Sequence, residues 1–375
     1  MSNETNKLRV AIIHDWLTNF AGSEQVLLAL HQMYPDAPIF TTVYKPEAVP
    51  QFSGADIRPS FLQRFPGAKN HHQAFFPLMP LAVEQFNLGE FDIVISSAHN
   101  CAKGVITKPE TFHLCYCHTP TRYLWSNYHE YLRDSHFNFI VNKFIPPLSN
   151  KLRIWDFLAA DRVDSFVANS KFTAGRILKY YKREAEIIPP PIDTNRFEIS
   201  KNQEDYFFTA GRFIPYKKID LIINAFNKLK LPLKIAGEGH EYKKLKALAG
   251  LNIEFLGRVS QEQLINLYSK CRAFVFAAQE DAGIVPLEAQ ASGRPIIAYG
   301  AGGSLETIID GKTGLFFKEQ TAESLISVVK RFRDESFNSK EIRAHAEKFS
   351  TENFKDKMKK VVEEGYQNYI KQLTV

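Results

Sequence analysis

At 375 residues the chain exceeds one typical hydrophobic core, so two domains are the natural expectation. Hydrophobic content of 45% and charged content of 23% are ordinary for a globular protein. The net charge of +6 comes without long basic runs, which argues against nucleic acid as a partner. Mild basicity suits an anionic ligand or an anionic membrane surface without selecting either.

No apolar run approaches the ~18 residues needed to span a bilayer. The first residues are polar and lack the apolar core of a signal peptide. The expectation is a cytoplasmic protein, at most peripheral at the inner face of a membrane. Cys101, Cys115, Cys117 and Cys271 have no zinc-ligand spacing and read as free, buried thiols.

In chain order, short apolar runs at residues 8–13, 39–44, 91–96, 112–117 and 163–168 alternate with helical stretches. After "IIPPPIDTNRF", whose three prolines mark a boundary near residues 189–200, the alternation is cleaner. Strands are expected at 206–210, 232–236, 253–256, 273–277, 295–299 and 314–317. The stretch 217–229 carries Ile219, Ile222, Ile223, Phe226 and Leu229 at helical spacing. Strand–helix alternation of this length predicts doubly wound parallel sheets. The expected organisation is an acceptor-binding domain at 1–190, a nucleotide-binding domain at 200–350 and a terminal helix at 351–375. That helix has Phe354, Met358 and Val361 on one face. It is expected to pack back across the first domain, with membrane contact as the alternative.

Open parallel sheets bind ligands at the carboxyl ends of their strands, so the residues there are the candidates for chemistry. After the first strand, "HDWLTNFAGSEQVLLAL" makes a tight turn at Gly22, with Ser23 expected to cap the helix. It lacks the GxGxxG fingerprint of a hydride-transfer cofactor. "CYCHTPTRYLW" sets His118 at a strand end before Pro120, which is expected to open a helix. His99, in "SSAHN", is a weaker candidate.

In the second half, "TAGRFIPYKKIDLII" places Arg212 at a strand end and Lys217 where a helix begins. Lys217 and Lys218 at that helix start oppose its dipole, and a guanidinium with an ammonium aimed at one cleft suits a diphosphate. "GEGH" at 237–240 is a lone GxG, read as a structural strand–helix turn that also permits close approach to a ligand's phosphate or sugar. "EDAGIVPLEAQASGRP" separates Glu280 from Glu288 by seven residues that include Gly283 and Pro286. A helix starting near Pro286 would hold Glu288 on its first turn and present unpaired N–H groups to an anion.

These motifs, in this order, resemble the retaining glycosyltransferases of family four, with the two-Rossmann-domain (GT-B) fold. The resemblance rests on Glu280-x7-Glu288 around Gly283-Ile-Val-Pro, Gly211-Arg212…Lys217, Gly22-Ser23-Glu24, His118-Thr-Pro, "ANSKFTA" and "GGSLETIIDGKTGLFF". It runs over nearly the whole chain. Within the family it is closest to bacterial mannosyl- and glucosyltransferases of surface polysaccharide assembly. It implies an α/β chain of two Rossmann-like doubly wound domains facing across a cleft.

The implied activity is a hexosyltransferase, EC 2.4.1, that uses a nucleotide-diphospho-sugar and needs no cofactor and no metal. UDP-glucose is the first expectation for the donor and GDP-mannose a close second. The acceptor would be a saccharide or a lipid-linked saccharide. Glu280 would hold hydroxyls of the donor sugar and Glu288 those of the ribose. The backbone at Ile284 and Val285, with Arg212 and Lys217, would meet the diphosphate. Gly22 would let the first domain approach the phosphates, and His118 would contact the transferred sugar. Ala21 stands where the family often has a second glycine, Ala282 where phenylalanine is common, and "PPPID" where many members have Asn-Gly. A sugar-nucleotide epimerase of the same fold and a non-catalytic nucleotide-sugar-binding protein are the alternatives.

Overall fold

The computed structural model describes residues 8–134 and 139–374, which divide into two compact units. One unit comprises residues 1–190 together with 354–375, and the other residues 191–353.

In the first unit, strands β1 (Val10–His14), β2 (Ile39–Thr41), β3 (Ile57–Pro59), β4 (Ile93–Ala98), β5 (Phe112–Cys117), β6 (Ser165–Ala168) and β7 (Glu186–Ile187) form one parallel sheet, ordered β3-β2-β1-β4-β5-β6-β7. The central strands are buried along their whole length, as strands covered on both faces must be. Alternation assigns their side chains to two cores. Ala11, Ile13, Cys115 and Cys117 pack on one face, and Val10, Ile12, Leu114 and Tyr116 on the other. All four cysteines are free and buried. The terminal helix Thr351–Leu373 belongs to that second face: Phe354, Met358, Val361 and Val362 pack beside Ile12, Ile95 and Tyr116.

Two edge strands, β3 and β7, go beyond the sequence expectation. They have three and two residues, and their side chains are mostly exposed, so they leave no apolar run to read.

In the second unit, β8 (Phe207–Ala210), β9 (Leu233–Ala236), β10 (Ile253–Gly257), β11 (Phe274–Phe276), β12 (Ile296–Tyr299) and β13 (Gly314–Phe317) are ordered β10-β9-β8-β11-β12-β13, again all parallel. The apolar positions of the helix Ile219–Leu229 behave as their spacing predicts. Ile222, Ile223 and Phe226 are fully buried against Phe207 and Leu233.

Three local expectations are corrected. The helix after β1 runs Gly22–Met33 with Ala21 as its N-cap, so Ser23 is its second residue and not the cap. Glu24 supplies the closing contact instead, its Oε2 accepting the Ala21 N–H at 2.8 Å. Pro120 opens no helix, because residues 122–127 form turns and the next helix starts at Tyr128. The glutamate helix runs Ile284–Ala291, two residues earlier than expected, which moves Glu288 onto the second turn. Gly283, at φ 63°, takes the left-handed conformation just before that helix. Pro286 then falls third in the helix, where its missing N–H removes no intrahelical bond.

Candidate functional site

In a sheet ordered this way the chain winds outward in one direction, returns to the centre and winds outward in the other. The loops after the two central strands therefore diverge and leave a crevice at their carboxyl ends. In the second unit those strands are β8 and β11. Arg212 and Lys217 follow the one, and Glu280 and Gly283 follow the other.

The Lys217 ammonium lies 2.5 Å from Glu280 Oε1, with both side chains largely shielded from water. Lys217 ends a short 3-10 turn, Pro215–Lys217. Lys218 follows at φ 55°, a left-handed conformation unusual outside glycine, and the chain then enters the helix Ile219–Leu229. Arg212 is exposed, and its guanidinium donates to the Tyr216 hydroxyl at 3.3 Å. The Tyr216 ring also faces the Lys217 ammonium, 5.7 Å from its centroid.

Glu280 is fixed through its backbone. Its carbonyl accepts the Gly303 N–H at 2.8 Å. A Cβ at Gly302 would collide with the Glu280 carbonyl and one at Gly303 with that of Asp281, so only glycines let the loop after β12 lie this close. Glu288 accepts a hydrogen bond at 3.2 Å from the buried Tyr268 hydroxyl. Burial, and then the Glu288 charge, push the Tyr268 phenol well above its ordinary pKa, which keeps it a donor. The first-turn N–H groups of Ile284 and Val285 are free by helix geometry to meet an anion. The glycines of "GEGH" have a structural role: a Cβ on Gly237 would strike the Gly211 carbonyl, and one on Gly239 the Phe213 backbone. They let the loop after β9 seat the segment that carries Arg212.

The same topological point in the first unit lies between β1 and β4, and it is lined differently. Asp15, directly after β1, is buried and accepts the N–H groups of His99 at 2.6 Å, Asn100 at 2.9 Å and Ala102 at 2.7 Å. The His99 Nδ1 sits 2.9 Å from the same carboxylate. Burial alone would raise the Asp15 pKa, but the charge and hydrogen bond of His99 outweigh it and hold the group well below the carboxylate range. Burial alone would lower His99, yet the Asp15 charge and hydrogen bond raise it above an ordinary imidazole.

Ser97 Oγ stands between two rings, 3.2 Å from His14 Nδ1 and 2.9 Å from His118 Nε2. Burial, with help from His99 and His14, lowers His118 to about 3, so its ring is neutral near pH 7. The His118 carbonyl accepts from Asn169 Nδ2 at 2.8 Å, tying "ANSKFTA" to this strand end. Glu24, the third residue of the helix that Gly22 begins, is buried with Oε1 3.5 Å from His14 Nε2.

The loop that carries His99 is clamped again from below. Lys103 donates to the Asn100 carbonyl at 3.0 Å and pairs with Asp156 at 2.5 Å. Both side chains are buried, and Asp156 also accepts from Thr121, Trp125 and Tyr181.

The structure thus joins Lys217 to Glu280, holds Glu288 on Tyr268 and leaves Arg212 on Tyr216. His118 is joined to His14 through Ser97. Sequence reasoning did not find Asp15, Glu24, His14 or Ser97 as members of a cluster. The single available signal was "HD" at the end of an apolar strand. The partners of Asp15 are backbone groups more than 80 positions away. Among the described residues no group of His, Cys, Asp and Glu is arranged to hold a metal ion.

Comparison with known proteins gives the class to which two Rossmann-like domains with these motifs belong. Glycosyltransferase Family 4 matches residues 20–196, and Glycosyl transferases group 1 matches residues 191–367. The chain belongs to these family-four glycosyltransferases and has their GT-B fold. An uncharacterized glycosyltransferase of Methanocaldococcus jannaschii is 30% identical over 174 residues, covering 44% of this chain and 49% of that protein. A GDP-mannose-dependent alpha-(1-6)-phosphatidylinositol monomannoside mannosyltransferase of Mycolicibacterium smegmatis is 27% identical over 192 residues, covering 43% and 50%. The chain therefore spans about half the length of these two curated relatives. Anabaena HepE, solved in complex with UDP and glucose, superposes with a TM-score of 0.71 at 15% identity, over 95% of this chain and 99% of HepE.

Proposed function

We propose that the protein is a retaining hexosyltransferase. It would move a sugar from a nucleoside diphosphate sugar to a saccharide or lipid-linked saccharide in polysaccharide assembly, with the donor held by the second unit and the acceptor by the first. The observation that carries this reading is the Lys217–Glu280 pair at the topological switch point, beside the helix start at Gly283.

In this reading Arg212, Lys217 and the N–H groups of Ile284 and Val285 stabilise the diphosphate as negative charge builds on it during bond cleavage. Glu280 orients the sugar hydroxyls, and Glu288, steadied by Tyr268, takes the ribose. The acceptor hydroxyl attacks from the face the phosphate leaves, and a phosphate oxygen receives its proton, so configuration is retained. Gly22 allows close approach to the phosphates and His118, as a neutral ring, meets the transferred sugar; both roles rest on the family resemblance. A cation cluster takes the place of a metal, in keeping with a sequence that has no Asp-x-Asp pair.

Of the two donors, GDP-mannose has the support of the Mycolicibacterium relative's name. UDP-glucose remains the alternative. Thermal-shift binding of both, followed by product analysis with a saccharide acceptor mixture, tests the reading. Binding with hydrolysis or transfer of one hexose, undiminished by exhaustive chelation, is expected. Binding without any loss of the sugar would instead favour a non-catalytic nucleotide-sugar protein, and conversion to an isomeric nucleotide sugar an epimerase.

A further inference from the structure

The terminal helix, the sequence's candidate for membrane contact, has its apolar face in the core of the first unit, where Phe354, Met358 and Val362 are buried. A different helix of that unit keeps apolar side chains in water. On Phe139–Asp161, Phe144 is 66% exposed, Ile154 and Leu158 are each 55% exposed, and Phe157 is exposed too. Helical spacing turns Ile154, Phe157 and Leu158 away from the side that buries Leu152, Asp156 and Ala159. At 1.5 Å per residue, Phe144 to Leu158 covers about 21 Å of helix surface.

Lys143 and Lys151 are exposed along the same stretch, and neither makes an ion pair among the described residues. The one acid between positions 143 and 160, Asp156, is buried on Lys103. Arg153 is turned inward, donating to the Leu124 carbonyl and lying over the rings of Trp125 and Tyr128. Asp161, at the end of the helix, lies near Arg183 at 3.9 Å. Between positions 143 and 158 the exposed face is therefore apolar and cationic, and its one exposed acid among the described residues of this helix is Asp161 at the far end.

We infer that this face docks the protein on an anionic lipid surface. Lysine is depleted from the cores of protein interfaces, where its ammonium loses water without a fixed partner. On a lipid surface its stem lies along the acyl boundary while the ammonium reaches the phosphates. Bulky apolar side chains on one helix face enter that boundary, and the lysines beside them add attraction to anionic headgroups. This inference is independent of the proposed reaction, since docking requires neither donor nor turnover.

Co-sedimentation of the full chain with mixed phosphatidylglycerol–phosphatidylcholine vesicles, and with phosphatidylcholine alone, tests it. Binding is expected to the anionic vesicles and to weaken with salt. The double substitution Ile154→Ser with Leu158→Ser should reduce it about tenfold or more, and so should Lys143→Glu with Lys151→Glu. All four positions are exposed, so the tryptophan-detected urea unfolding of this unit should stay unchanged and certify a folded protein. Absence of vesicle binding, or binding that neither double variant reduces, overturns the inference. A dimer in sedimentation velocity that the Ile154→Ser, Leu158→Ser variant dissolves, without vesicle binding, would also overturn it and assign the face to a second copy of the chain.

Discussion

The two units share a strand order outward from the centre and put their chemistry at the same topological point, yet they line it with opposite materials. The second unit offers a lysine paired with a glutamate, an exposed arginine and a helix start behind glycine. The first offers imidazoles and buried carboxylates in two hydrogen-bonded groups, Asp15 with His99, and Glu24 with His14, Ser97 and His118. Topology fixes where a ligand can sit in each unit, and side chains decide what chemistry it must have. A cationic loop with free N–H groups suits phosphates, whereas a neutral His118 with a serine behind it suits hydroxyls.

The sharpest way to break this comparison is to separate sugar from nucleotide within the second unit. Glu280→Ala is expected to reduce turnover by about 100-fold or more, the scale of losing an oriented contact made in the transition state. Its effect on affinity for the bare nucleoside diphosphate should be small. Glu288→Ala should weaken even the bare nucleotide, by about 1–3 kcal/mol. Calorimetry and transfer rates on both variants read the division directly, and equal losses of nucleotide affinity would end it.

Next in size is the first unit's anchor. Asp15→Ala strands three backbone N–H donors at once, and a loss of about 3 kcal/mol or more is expected at the ~1 kcal/mol or more that each buried unpaired donor costs. All three tryptophans, Trp16, Trp125 and Trp155, lie in the first unit, so their fluorescence follows that unit alone through urea unfolding. An unshifted midpoint would mean that water replaces the carboxylate without loss.

Arg212→Ala should weaken nucleoside diphosphate binding by about 1.5–3 kcal/mol, the range for hydrogen bonds to charged groups. It should leave the tryptophan-detected transition unmoved, and a shift there would blur the separation of the units. Unchanged calorimetric binding in the folded variant would remove Arg212 from the phosphate site.

The smallest expected effect is acid sensitivity of the first unit. Burial lowers His113 to about 4, against an ordinary value near 6.5. Between those pH values the unfolded chain binds a proton that the folded chain refuses, so stability falls as pH falls through that window. At about 1.4 kcal/mol per pH unit, His113 costs about 2 kcal/mol between pH 6.5 and 5. His113→Gln should flatten the fluorescence-detected pH profile, and an unchanged slope would assign the loss to other groups. The second unit holds only His240 and His345.

What could be read from sequence follows the same physics. Alternating apolar runs and the proline break disclosed the parallel sheets, because buried central strands need continuous apolar residues. Glu280, Gly283 and Glu288 were legible because a strand, a loop and a helix carry them in one contiguous stretch. The start of that helix was misread by two residues, since Pro286 looks like a first residue when Gly283 is not seen to be left-handed. Asp15 was illegible because what it holds is backbone, and the sequence does not show which N–H groups a fold will bring near.

The terminal helix has a consequence in time. A ribosome releases residues 8–190 before it has made residues 354–373, whose Phe354, Met358 and Val361 complete one face of the first sheet. Until then Ile12, Ile95, Leu114 and Tyr116 lack part of their cover. The residues that come first in synthesis therefore cannot finish their own core first. Meanwhile residues 191–353, which border no such gap, can fold as they emerge, reversing the usual order of domain-by-domain folding during synthesis.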